Sequence, residues 1–217
     1  MNSRTLTILL TISLGYTVLL TGRTLMSSRL PGDHQGYEPT QPIEYSHQLH
    51  AGELRIPCLY CHFGAEKSRH AGIPAPSVCM NCHAMVTSTL GAVRAEDEAA
   101  QMQSRAPRLI RSEQLGLFYE QIGLGEDLKA DLAESEGSIE WVKVHNLPDF
   151  VYFDHRPHVR SGLECQACHG PIETMERVRQ FESLSMGWCV NCHRQLNEIG
   201  VQGQPVDASI DCVTCHF

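Results

Sequence analysis

The sequence predicts a mainly α-helical, loop-rich protein with almost no sheet, in which one N-terminal transmembrane helix carries a head built from two repeated modules. Three observations predict this. Residues 5–21 read TLTILLTISLGYTVLLT, with no charge in the run. All ten cysteines fall into five copies of a single five-residue pattern. The segments around the first four copies recur at a near-constant offset: His47 to His155 is 108 residues, Cys58 to Cys165 is 107 and Cys79 to Cys189 is 110.

The apolar run sits at the short end of what spans a bilayer, which takes about 20 residues of helix. A cleaved signal peptide has an apolar core of similar length. No small-x-small cleavage site follows the run and no cysteine is spare for lipidation, so a retained anchor over residues 1–30 is the preferred reading. Charge does not set its orientation, because Arg4 precedes the run while Arg23 and Arg29 follow it. Its five threonines are expected to pack against helices of other chains.

The cysteine pattern is C-x-x-C-H. Its copies are Cys58–Cys61–His62, Cys79–Cys82–His83, Cys165–Cys168–His169, Cys189–Cys192–His193 and Cys212–Cys215–His216. This is the attachment signature for haem c. Two thiols at that spacing add to the two vinyl groups on one porphyrin edge, and the adjacent imidazole reaches the iron. Four-cysteine zinc sites have similar gaps between pairs, but five pairs leave one over, and zinc gives no reason for the histidines. A disulfide scaffold also fits an even count and also leaves the histidines unexplained. Five covalent haems are therefore expected, with His62, His83, His169, His193 and His216 as proximal ligands. Because haem c is attached after export, everything beyond residue 30 is expected on the outer, periplasmic side of a bacterial cytoplasmic membrane.

Composition sets the frame for such a head. The chain has 217 residues, of which 6% are aromatic. One haem per roughly 43 residues means that porphyrin faces supply much of the apolar core, wrapped by short helices and long loops. The formal charge of −8, which omits haem propionates, argues against nucleic acid and for protein partners.

The repeat orders the rest. Tyr45-Ser46-His47-x2-His50 precedes the Cys58 and Cys79 motifs, and Phe153-Asp154-His155-x2-His158 precedes the Cys165 and Cys189 motifs. Each half reads as a two-haem module: residues 31–92, then 139–217 with the fifth motif appended. Residues 93–138 read as an insert. Helices are expected over 92–103 and 108–122, divided at Pro107, followed by an acidic solvated loop over 123–137.

Seven histidines remain as candidate distal ligands. His47, His50, His155 and His158 stand out, since residues three apart share a helical face and can serve two neighbouring haems. His145 is the preferred fifth, with His70 next. His34 is read as bland. Met186 is read as packing, although a thioether ligand would raise a haem's potential relative to two histidines.

The run Ile139-Glu140-Trp141-Val142-Lys143-Val144-His145-Asn146-Leu147-Pro148-Asp149-Phe150-Val151-Tyr152-Phe153-Asp154-His155, with Met186-Gly187-Trp188-Cys189-Val190-Asn191-Cys192-His193-Arg194, resembles the pentahaem cytochrome c subunit of alternative complex III, a bacterial quinol:electron-acceptor oxidoreductase. The resemblance covers the anchor and all five motifs and weakens over about residues 93–136. It implies a class III-like multihaem head in which His47 opposes His62 and His155 opposes His169. It also implies an electron-transfer subunit without a substrate site of its own. The implied partners are an iron–sulfur protein, quinol-binding membrane subunits and a monohaem cytochrome. Two other classes stay open: a stand-alone membrane-anchored quinol dehydrogenase, and a multihaem reductase with one open iron.

Overall fold

A computed structural model of the chain describes residues 2–27, 33–125, 128 and 138–216. It divides into two units, Met1–Asp33 and His34–Phe217. The first is built on one helix, α1 (Ser3–Ser27). Its span Ser3–Thr24 is long and apolar enough to cross a membrane, a test that a signal sequence also passes. Four of the five threonines of the apolar run also bond within their own helix. Thr7 Oγ1 donates to Ser3 O at 3.0 Å, Thr11 Oγ1 to Ile8 O at 2.9 Å, and Thr17 and Thr21 to Ser13 O and Thr17 O at 2.8 Å. Hydroxyls satisfied within their own helix lower the cost of placing them in lipid.

The second unit is a chain of short helices. These are α2 (Cys58–Cys61), α3 (Pro76–His83), α4 (Leu90–Met102), α5 (Glu113–Gln121), α6 (His155–Arg160), α7 (Gln166–His169), α8 (Met186–Ile199) and α9 (Cys212–Cys215). One turn of π-helix (Gln48–Glu53) and two 3₁₀ turns (Phe63–Glu66 and Ile172–Thr174) lie between them. Among the described residues there is no strand, only isolated bridges Val151–His216 and Val201–Gln204. The helices are short because the sequence stops them: Pro57 and Ala75 enter extended, and Gly170 and Gly200 end helices at positive φ.

Residues 90–121 hold two helices, with the second starting later than the apolar spacing suggests. Thr87 Oγ1 donates to Ile110 O at 2.6 Å and Ser112 N to Thr87 O at 2.9 Å, which keeps 108–111 out of the helix. Ser112 then caps α5 by accepting from Leu115 N. The expected loop over 123–137 lies mostly outside the described residues. Helix α5 is more than a spacer. Phe118 and Tyr119 are buried with Ile43, and Cys79, Met80 and Trp141 pack on that cluster. Tyr119 Oη donates to His83 O at 2.6 Å.

Apolar burial is sparse elsewhere. Among the described residues only seven apolar side chains are buried: Ile43, Ala65, Ala100, Phe118, Tyr119, Met175 and Val201. Two clasps tie the halves of the head together. The π-turn carrying His50 packs on the 3₁₀ turn Ile172–Thr174, and α6 packs on the 3₁₀ turn Phe63–Glu66. Gln48 N donates to Met175 O at 2.9 Å in the first clasp, and His155 N donates to Arg69 O at 3.1 Å beside the second.

Candidate haem sites

None of the ten cysteines forms a disulfide. Eight histidines face one another in four pairs. The rings of His47 and His62 are 6.4 Å apart and within 6° of parallel; those of His155 and His169 are 6.4 Å apart and within 4°. His50 and His83 stand at 6.2 Å and 61°, and His158 and His193 at 6.0 Å and 35°. The spacing is informative. Two metal–nitrogen bonds of about 2 Å, plus the ring radius at each end, put imidazole centroids about 6 Å apart. Direct ring packing or a hydrogen bond would bring them closer.

The ring nitrogens are committed in the same sense. His62 Nδ1 donates to Gly72 O at 2.8 Å, His83 Nδ1 to Val86 O at 2.8 Å and His193 Nδ1 to Ser209 O at 2.6 Å. His50 Nδ1 donates to Ser46 O at 2.8 Å, His155 Nδ1 to Arg69 O at 2.9 Å and His158 Nδ1 to Asp154 O at 2.8 Å. A ring whose Nδ1 carries the proton leaves Nε2 as a lone-pair donor for a metal. His47 Nδ1 is buried without a hydrogen-bond partner. Burial, then the neighbouring His62 and His50, lowers the His47 pKa to about 4. Burial likewise lowers His158, and lowers His169 to about 3. In each ring burial favours the neutral form, the form that ligates.

An aromatic ring backs each H-x-x-H pair. Tyr45 stands edge-on to His47 at 4.9 Å and stacks on His50 at 4.4 Å. Phe153 stands edge-on to His155 at 4.9 Å and lies 4.6 Å from His158.

Successive motifs neighbour one another through their thiols. Burial raises Cys61, with added repulsion from Cys58 and Cys82, and raises Cys79, with added repulsion from Cys61. Burial raises Cys165, with added repulsion from the neighbouring Cys58 of the other half. Cys168 is pushed up to about 11 by burial and by Cys192 and Cys189, and Cys189 is raised by burial and by Cys215.

His145, the preferred fifth candidate ligand, lies beside His169. Its Nε2 is 3.1 Å from Nδ1 of His169, and the two rings are 4.4 Å apart at 84°. The ring facing His216 is that of Phe150, at 5.7 Å and 29°. His145 therefore partners the histidine of the Cys165 motif. Burial, then His155, lowers its pKa to about 4. His70 is exposed, and the His34 ring packs edge-on to Tyr37 at 5.1 Å with its Nδ1 buried. Met186 is 69% exposed, so it is not the core residue expected of it.

Residues 151–217 match the family of cytochrome c7 and related cytochromes c. The chain carries a multihaem cytochrome c domain. It is also 23% identical over 196 residues, spanning 81% of this chain and 76% of the relative, to the menaquinone reductase multihaem cytochrome c subunit of Nitratidesulfovibrio vulgaris. A cytochrome c domain binds haem covalently and works in electron transfer. The residues present fit that cofactor: the C-x-x-C cysteines are not tied up in disulfides, imidazoles pair across an iron-sized gap, and the described residues of the head bury few apolar side chains.

Sequence reasoning missed three contributors. Tyr119 holds the second motif through a main-chain carbonyl, and Gln180, fully buried, braces the loop that carries His145. The third is His145 itself, in its role beside His169. An aromatic at helical spacing and a lone glutamine carry no signal that separates them from ordinary packing.

Proposed function

We propose that the chain is a membrane-anchored pentahaem cytochrome c that relays electrons within a quinol:electron-acceptor oxidoreductase complex of the alternative complex III type. The observation that carries the reading is the set of four imidazole pairs at 6.0–6.4 Å. When bound, haem supplies a one-electron couple at each site. The residues supply ligation and orientation: His47 with His62, His50 with His83, His155 with His169, and His158 with His193. Cys58 and Cys61, Cys79 and Cys82, Cys165 and Cys168, Cys189 and Cys192, and Cys212 and Cys215 hold the porphyrins, with His216 as proximal ligand of the fifth. His145 leaves the axial set.

On this reading the head is two duplicated dihaem modules, with Cys58 of the first neighbouring Cys165 of the second. The thiol neighbours support a single file of sites in the order Cys79, Cys58, Cys165, Cys189, Cys212. Helix α1 holds the head on the periplasmic side. The relative's name supports a quinone-linked membrane complex, with an iron–sulfur protein, quinol-binding subunits and a monohaem cytochrome as partners.

Denatured, fully matured protein should retain five haems by mass and by pyridine haemochrome; fewer removes at least one motif from the reading. In mild detergent the chain should co-purify with membrane subunits, and quinol should reduce its haems only while they are present. Full-rate quinol oxidation by the isolated chain would replace the relay with a stand-alone quinol dehydrogenase. One observation favours a second reading, a reductase with an open iron: His216 faces Phe150 and not a nitrogen ligand. A carbon monoxide response in the reduced spectrum would support that reading, and its absence would remove it.

A further inference from the structure

Three proximal histidines of the head, His62, His83 and His193, give their Nδ1 proton to a backbone carbonyl. His169 differs. Its Nδ1 meets a side-chain nitrogen, Nε2 of His145, at 3.1 Å. Ligation through Nε2 fixes the tautomer of His169, so Nδ1 is the donor and His145 Nε2 the acceptor. His145 must then carry its own proton on Nδ1.

The contact is built, not incidental. Asn146 N donates to Gln180 Oε1 at 3.0 Å, and Gln180 Nε2 donates to Glu182 O at 3.1 Å. The backbone of Gln180 is fixed as well: Gly36 N donates to Gln180 O at 2.6 Å, and Gln180 N to Tyr37 O at 3.0 Å. A buried glutamine with all these bonds made holds the chain next to His145 in one place. On the other side, Gly170 follows His169 with φ 71° and ψ −166°, and a Cβ there would lie 2.3 Å from the Phe181 ring. Only glycine lets the chain turn that tightly after the ligand.

We propose that His145 is a positioning residue for the haem of the Cys165 motif, accepting the Nδ1 proton of His169 and so setting that haem apart from its neighbours by its potential. The inference rests on the axial role of His169 proposed above. An imidazole nitrogen is a more basic acceptor than an amide oxygen. The stronger acceptor draws the proton away from His169, gives its ring more imidazolate character and makes it a stronger donor to iron. Stronger donation favours the ferric state and lowers the potential. The ring of His169 is also held within 4° of that of His155. The third site is the middle of the proposed file, where one altered potential affects passage in both directions.

The test uses the full chain in its detergent-solubilised complex, with His145→Phe and His145→Gln, read by spectroelectrochemical titration and ferric electron paramagnetic resonance. In His145→Phe all haems should remain attached and low-spin. One of them should be about tenfold more reduced at a fixed potential, a rise of about 59 mV for one electron. In His145→Gln a carbonyl replaces the nitrogen, and the same haem should shift less. Unchanged potentials in a fully loaded His145→Phe overturn the inference, as does conversion of one haem to high spin, which would make His145 an axial ligand. If His145→Phe does not accumulate, His145→Gln decides alone, and no shift overturns the inference. A His155→Met control separates the two levels: if it moves no potential, the axial reading of this site fails, and if it moves one while His145→Phe moves none, only the present inference fails.

Discussion

The two H-x-x-H segments reach the same ring geometry from different local structures. His47 and His50 lie at a π-turn whose bonds run from Leu54 N to Leu49 O and from Ile56 N to His50 O, both lengthened beyond the α-helical step. His155 and His158 lie on the regular helix α6, capped by Asp154, which accepts from Arg156 N and pairs with the Arg156 guanidinium. Yet His47 faces His62, and His155 faces His169, at the same 6.4 Å. Corresponding backbone bonds survive the difference: His50 Nδ1 donates to Ser46 O and His158 Nδ1 to Asp154 O, both at 2.8 Å. The constraint is the gap between imidazoles and the proton on Nδ1, and more than one backbone path satisfies it. What separates the halves is the next layer, where Gly72 O meets His62 and His145 meets His169.

The largest test of this equivalence is replacement of one ligand at a time. His47→Met and His155→Met should each keep all haems attached and raise one potential by on the order of 0.1–0.2 V, within the roughly 0.8 V that axial ligands span. Redox titration of both variants checks this, and a shift in one alone would break the equivalence of the halves.

The clasps come next. A Cβ on Gly52 would stand 2.3 Å from Glu173 O, and one on Gly64 would stand 2.6 Å from Ala71 O. Both obstacles are backbone and cannot rotate away. Gly52→Ala, which strains the contact between halves, should cost about 1–3 kcal/mol in denaturant melts followed at the Soret band. Gly64→Ala, which pushes the turn of the second clasp against Ala71 O, should cost a similar amount.

A smaller effect is expected at α5. Tyr119→Phe keeps the buried ring but leaves His83 O without the Tyr119 hydroxyl, which should cost about 1 kcal/mol. The same melts, read at the haem of the Cys79 motif, report it. The second half has no counterpart in the described residues to lose.

The smallest effect is the pH response of residues 90–121. Arg105 holds the Glu96 carboxyl down to about 2 from an ordinary 4.5, first by a direct hydrogen bond and then with help from Arg108 N. A depressed carboxyl contributes stability that is present above about pH 4.5 and lost as pH falls towards 2. Acid titration by circular dichroism should show this loss in the native chain, and Glu96→Gln should flatten it. Histidine pairing in the haem-loaded head should not follow that curve.

Sequence alone carried much of the functional reading. Covalent chemistry is local, so five C-x-x-C-H copies mark the proposed haem attachment points without a fold. A 3-residue spacing is equally local, which is why both H-x-x-H pairs were legible as candidates. The expectation of short helices and almost no sheet came from the density of motifs in so short a chain, and the described residues hold no strand. Tertiary structure decided everything that depends on which loops meet. His145 was legible as a candidate distal ligand, but its contact with His169, 24 residues away, depends on a loop that Gln180 helps hold. The start of α5 at Glu113 was hidden because Thr87, far back in the chain, takes the preceding residues out of the helix. The succession of motifs in space was hidden for the same reason: Cys58 meets Cys165 across 107 residues. Attachment is written in consecutive residues, whereas second-layer hydrogen bonds and haem order depend on contacts between segments whose separation no periodicity encodes.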